Sequence, residues 1–420
     1  MKILPEMLMK GSSHLRAPAP VILTNMKRLA WLAVWCVFFV PAFAQAAPVK
    51  NELEVTGWLP YWRAASSTRD TTPNLGALTT VHPFGFYVEP DGNIEETIEV
   101  GEEPWKTFIA TAKAQKVRVV PSLVWHNGDA IHEVLSDKTS RTKLVKDIVA
   151  LVEKNGFDGI DVDFESKLAE TKDYFSLFLK ELYAAMGQKW VYCTIESRTP
   201  LTARYDVIPE NIEYANDYVE INKYCDRVQV MAYDQGGVDR ELSRSAVGPY
   251  TPIADVRWVE KVMKEAMKTI APRKLVIGVP TYGYEYQVSP RSQGGYDYAR
   301  LWAFNPRYAT EIAEKLGLTP TRTQGGELQL LYLPEVLERK DKSKIKNDAS
   351  SANLGVPATA LSNAATAPAV RSAFNVMSWG DATSVAQKIA LAKRLGIRGI
   401  AIFKLDGGQD PGIWNTLWGR

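Results

Sequence analysis

From about residue 53 onward, short apolar runs alternate with stretches whose apolar positions recur every three or four residues. The runs at 54–59, 78–88, 116–124, 158–164, 190–196, 226–232, 274–281 and 397–403 read as strands. Several, such as Val117-Arg118-Val119-Val120 and Leu275-Val276-Ile277-Gly278-Val279, are nearly continuous in apolar residues, which suits parallel strands covered on both faces. Helical periodicity fills 139–155, 171–186, 254–270 and 383–395. In the first, Leu144, Ile148, Leu151 and Val152 share a face, with Lys and Asp opposite. An eightfold βα alternation predicts an α/β fold of the (β/α)8, or TIM barrel, type. An open doubly wound sheet is the alternative, but no Gly-rich phosphate loop supports it.

The alternation breaks once, between the seventh and eighth strands. Residues 284–373 are too long for a plain loop. They carry Tyr296, Tyr298 and Trp302, a helical 308–316 and a β-like Leu328-Gln329-Leu330-Leu331-Tyr332. They are expected to form a small α+β insertion, with residues 50–283 and 374–420 as the barrel. Within the insertion, 338–370 turns charged and then Ala-, Ser-, Thr- and Asn-rich, the composition of a mobile surface excursion.

The whole chain has 420 residues, 46% hydrophobic and 23% charged, enough for a large core. Its formal charge of +2 hides an asymmetry: residues 1–46 carry five basic side chains against Glu6 alone. The remainder is slightly acidic, which argues against nucleic acid as a partner. Met26-Lys27-Arg28, the apolar Leu29 to Val40 and Ala44-Gln45-Ala46 have the layout of a signal peptide over 26–46, after an extension over 1–25 of uncertain status. The expectation is export, to a periplasmic, wall-associated or extracellular location, without a stable membrane partner. A retained anchor is the alternative. Cys193 and Cys225 would remain in the mature chain; both fall in or beside strands, where buried free thiols are common, and they are expected to be unpaired.

The chemistry concentrates in Asp158-Gly159-Ile160-Asp161-Val162-Asp163-Phe164-Glu165. Strand side chains alternate, so Asp161, Asp163 and Glu165 share one face and Ile160, Val162 and Phe164 the other. In a barrel the acids would line the interior. Three stacked carboxylates cannot all stay charged, so at least one should hold a proton near neutral pH. Glu165 lies nearest the C-terminal end of its strand, where barrel enzymes place their chemistry, and is the candidate general acid, with Asp163 to hold and tune it. A solvated edge strand or a Mg or Ca site could use the same acids. The flanking apolar residues disfavour the first, and the lack of an accompanying acidic or His cluster disfavours the second. No metal or organic cofactor is expected.

The run DGIDVDFE resembles the DxxDxDxE signature of glycoside hydrolase family 18, the chitinases and their relatives. Gln229-Val230-Met231-Ala232-Tyr233-Asp234 is similar to the family's sixth-strand motif, and Gly278-Val279-Pro280-Thr281-Tyr282-Gly283-Tyr284 to its seventh. The resemblance implies a retaining, substrate-assisted glycosidase acting on β-linked N-acetylglucosamine. Glu165 would protonate the glycosidic oxygen and the substrate's acetamido oxygen would attack the anomeric carbon. Asp163 would bind the acetamido N–H, Asp161 would share its proton, and Tyr233 would donate to the acetamido oxygen. The sequence itself offers no separately recognisable second catalytic carboxylate.

Two departures concern the substrate. The family's third-strand Ser with paired glycines corresponds here to Ser122-Leu123-Val124-Trp125-His126-Asn127, and its eighth-strand Trp to Phe403. Ile131-His132-Glu133-Val134-Leu135, Gly248-Pro249-Tyr250-Thr251-Pro252 and Trp379-Gly380-Asp381-Ala382 resemble the branch that includes bacterial peptidoglycan N-acetylglucosaminidases of the spore-cortex-lytic type. Chitin-like and peptidoglycan substrates both stay open. Asp234, Met231, Trp125, Tyr282, Phe403 and Trp58 are the candidate sugar-binding residues, Trp125 foremost among the tryptophans. His126 and His132 read as structural. A carbohydrate-binding protein that kept the barrel and lost turnover is the rival from another class; the presence of Glu165 speaks against it.

Overall fold

The computed structural model describes residues 53–334 and 373–420. The expected extension at 1–25, the expected signal peptide at 26–46 and the expected mobile segment at 338–370 lie outside the described residues. Seven barrel strands come first: β1 (Glu54–Pro60), β2 (Thr80–Val88), β3 (Ser122–Trp125), β4 (Gly159–Phe164), β5 (Trp190–Glu196), β6 (Arg227–Met231) and β7 (Leu275–Pro280). A second group follows: β8 (Gly283–Pro290), β9 (Tyr296–Phe304), β10 (Thr321–Arg322), β11 (Leu328–Tyr332) and β12 (Phe374–Trp379). The last barrel strand is β13 (Gly399–Phe403). It pairs with both β7 and β1, and β1 pairs with β2, so eight parallel strands close into a barrel. The TIM-type expectation holds.

The 116–124 run is interrupted: Arg118–Val119 pairs with β2, and β3 begins only at Ser122. Pro121 has no N–H to give the ladder, and its carbonyl accepts from Asp161 N–H at 2.9 Å. Helices α1 (Ala64–Thr71), α2 (Trp105–Ala114), α3 (Lys138–Lys154), α4 (Lys172–Met186), α5 (Tyr218–Tyr224) and α6 (Val256–Met267) return the chain between strands. Their starts are written locally: Asp137 accepts from Ser140 N–H ahead of α3, and Asp217 accepts from Val219 and Glu220 N–H ahead of α5.

The insertion is a five-stranded antiparallel sheet in the order β9-β8-β12-β11-β10, with α7 (Pro306–Leu316) packed on one face. Phe374–Trp379, assigned to the barrel from the sequence, is instead β12, a central strand of this sheet. An apolar run shows that a strand is buried but not which sheet buries it. Glu327, in the turn before β11, accepts from the N–H groups of Ile253 and Ala254 at 2.9 and 2.7 Å, which fastens the insertion to the loop before α6. Helix α8 (Ala382–Leu395) then leads into β13.

Cys193 and Cys225 are joined by a disulfide, contrary to the expectation of free thiols. Cys193 lies on the outward face of β5 and Cys225 just ahead of β6. The two strands are neighbours, which brings the Cα atoms to 5.9 Å, within bonding range.

Candidate active site

Strand alternation sorts the barrel interior into layers. At the base, Glu54 receives Arg227 through two hydrogen bonds of 2.6 and 2.8 Å and Arg398 through one of 2.8 Å. Arg118 lies 3.4 Å from the same carboxylate and 4.5 Å over the Trp190 ring. Above this plug, three donors converge on Asp161: Ser122 Oγ at 2.6 Å and Trp58 Nε1 at 3.1 Å reach Oδ2, and Thr194 Oγ1 at 2.8 Å reaches Oδ1. The lowest acid of the column is therefore fully engaged as an acceptor.

Asp163, one step higher, is buried, and its Oδ1 has no hydrogen-bond partner. Burial pushes its carboxyl well above the usual range, Glu165 and then Asp161 push it further, and Lys167 only partly opposes them. Its surroundings thus favour the neutral form of Asp163. A neutral carboxyl can donate while a ligand supplies the missing contact.

Glu165 follows β4 directly, its N–H tied to the Trp125 carbonyl at 2.7 Å. Its side chain is 31% exposed, so it is open to solvent at the strand end without being fully solvated. Burial raises its carboxyl above the ordinary range. His126 opposes that rise, whereas Glu196 and Asp234 add to it. The ring of His126 comes within 3.5 Å of Glu165, so this histidine, expected to be structural, belongs to the site. His132 does not; it contacts Thr171 Oγ1 at 3.0 Å and the Tyr174 ring.

The opposite wall is aromatic. Tyr233 is buried, and its ring stacks on Phe403 with centroids 5.6 Å apart and 14° between planes. The stack depends on Gly278, where a Cβ would lie 2.8 Å from the Tyr233 ring. Burial, followed by the charges of Asp163, Asp234 and Glu165, keeps the Tyr233 phenol well above its normal range and hence a donor. Asp234 accepts from Tyr282 at 2.5 Å and from Tyr284 at 2.8 Å, so the first strand of the insertion continues this wall. Met231 ends β6 on the interior face, paired with Glu196.

Two candidate sugar contacts fall elsewhere. Trp125 is 2% exposed and meets Phe164 edge-on at 5.3 Å, on the helix-facing side of the barrel. Ser122 reaches inward to Asp161, so Trp125, three residues on, must point outward. Trp58 is interior but sits below the rim, 1% exposed, as a donor to Asp161. Trp62, just after β1, is 49% exposed and lies edge-on to Phe84.

Sequence reasoning also missed Glu196 and Lys167. Glu196 ends β5 in phase with Tyr192 and Thr194, a signal that alternation could have supplied. Lys167 gives no such signal, because it lies in the loop after β4. Among the described residues, no three His, Cys, Asp or Glu side chains are grouped to share a metal ion.

A column of carboxylates ending in an acid at the C-terminal rim, faced by aromatic rings, is the arrangement of barrel glycosidases. The chain belongs to the glycosyl hydrolases family 18, whose sequence profile matches residues 58–408. It is 26% identical over 239 residues to the uncharacterized glycosylase YvbX of Bacillus subtilis, covering 54% of this chain and 64% of that protein. To the cortical fragment-lytic enzyme of Bacillus anthracis it is 25% identical over 218 residues, covering 50% of this chain and 46% of the relative. The chain thus spans about half to two thirds of the length of these relatives. Among solved structures, the spore cortex-lytic enzyme SleL of Bacillus cereus superposes with a TM-score of 0.63 at 21% identity, covering 87% of this chain and 74% of that one.

Proposed function

We propose that this protein is a retaining, substrate-assisted glycosidase that cleaves β-linked N-acetylglucosamine glycans, either chitin-like oligosaccharides or peptidoglycan. The observation that carries the reading is the buried Asp163, one carboxyl oxygen of which has no partner, between an Asp161 that accepts three hydrogen bonds and a partly exposed Glu165. Glu165 gives its proton to the glycosidic oxygen as that bond breaks. The acetamido oxygen of the substrate attacks the anomeric carbon, and an oxazolinium-like intermediate forms. Asp163 holds the acetamido group by its N–H and Tyr233 donates to its oxygen. Glu165, now anionic, takes a proton from the water that opens the intermediate, so configuration at the anomeric carbon is retained.

The family supports a glycan substrate, and the cortical fragment-lytic relative supports peptidoglycan as one candidate. Export rests on the signal-like segment at 26–46, and N-terminal sequencing of the secreted chain tests it. For the activity, the mature protein is incubated with chromogenic chitobiosides and with purified peptidoglycan, alongside Glu165→Gln. The wild type is expected to release product from at least one substrate. The variant should be slower by about a hundredfold or more. A wild type that binds both substrates but cleaves neither favours the carbohydrate-binding rival. Equal cleavage by the variant removes Glu165 as the acid.

A further inference from the structure

Glu196 closes β5 on the interior phase shared by Tyr192 and Thr194. The β4–β5 register pairs Asp161 with Tyr192 and Val162 with Cys193; continued upward, it sets Glu165 level with Glu196 on the adjacent strand. Two residues after Glu165 the chain buries a lysine. The Lys167 side chain is 1% exposed, donates to the Phe164 carbonyl, lies 4.8 Å from the Phe175 ring centroid and approaches Glu196 Oε2 to 3.7 Å. Asn216 Nδ2 donates to the same Glu196 oxygen at 2.6 Å. An ammonium withdrawn from water costs free energy unless an anion faces it, so this pair is a built feature of the rim.

We propose that Glu196, oriented by Asn216 and by the buried ammonium of Lys167, is a positioning carboxylate that keeps the proton on Glu165 between turnovers. The proposal rests on the reading of Glu165 as the acid. An anion beside an acid favours its neutral form, and a cation favours ionisation. His126 lies 3.5 Å from Glu165, Glu196 is level with it by register, and the charges of Asp163, Asp234 and Lys167 also act on it, the acids favouring its neutral form and the bases its ionised form. Tyr233 stays a neutral phenol. Glu196 and Lys167 thus act on Glu165 with opposite sign from one place. The burial-driven drop of the Lys167 amine, countered by Glu196, Asp163 and Glu165, fits the same arrangement.

The test compares wild type, Glu196→Gln and Lys167→Met. The titration of Glu165 is followed by carbon-13 NMR of the side-chain carboxyls, with the resonance assigned through Glu165→Gln. Glu196→Gln should move the midpoint down by about 0.5 to 1 pH unit, and Lys167→Met should move it up by a similar amount. The high-pH limb of kcat/KM on a chromogenic chitobioside should follow in the same directions. An unmoved midpoint, or the same direction in both variants, overturns the proposal. If Lys167→Met does not fold, the downward shift in Glu196→Gln alone decides. Absence of turnover in the wild type would count against the glycosidase reading and leave the NMR result to judge the proposal.

Discussion

Trp125 and Phe403 both end barrel strands, yet only Phe403 faces the barrel interior. Trp125 packs against Phe164 beneath the helices, whereas Phe403 stacks on Tyr233. Trp125→Ala should therefore cost about 3 to 5 kcal/mol of stability, read from denaturant midpoints, while KM stays as in the wild type. Phe403→Ala should raise KM for a chitobioside roughly tenfold through lost ring contact with the sugar. A KM effect of Trp125→Ala in the fully folded protein would contradict its outward placement. The column Asp161, Asp163 and Glu165 was legible because it needs only the period-2 alternation of one strand. Glu196 and His126 were not recognised, because they become neighbours of Glu165 only once separate strands lie side by side; Lys167 is close in sequence, but its burial against Phe175 and Glu196 is set by the packing of α4 and β5.

At the level of elements, the strand bases carry a second charge cluster with a structural task. Burial pushes the Glu54 carboxyl up, but hydrogen bonds from Arg227 and Arg398 and the charges of Arg227 and Arg118 outweigh it and lower it to about 2. A carboxylate lowered on folding adds stability that is fully present above its unfolded value and fades as pH falls toward the folded one. Glu54→Gln should thus be less stable than wild type at pH 7 by on the order of 3 kcal/mol, since it leaves three guanidinium groups short of a counter-ion. The difference should shrink between about pH 4.5 and pH 2, as thermal melts across that range would show. A gap that stays constant over this interval would mean that the cluster does not stabilise through the charge of Glu54. The same elements show the limit of pattern reading: the sequence assigned 374–420 to the barrel, whereas β12 joins the inserted sheet by pairing with β8 and β11.

Across the whole molecule, one covalent tie links positions 32 residues apart, spanning α5 and the loop before it. Closing such a loop removes chain entropy from the unfolded state worth about 3 to 4 kcal/mol. Replacing both Cys193 and Cys225 by Ala should lower the urea midpoint accordingly, and wild type held in reductant should match the variant. Turnover per folded molecule should not change, because Cys193 faces away from the interior. The barrel, its eight strands and the acid column follow from the sequence alone, since hydrophobic period and side-chain alternation are properties of contiguous residues. The disulfide, the outward turn of Trp125, the allegiance of β12 and the surroundings of Glu165 were decided by tertiary structure. Each depends on which distant segments the closed barrel brings to the same height, and that registry is fixed by long-range pairing and not by any local run of residues.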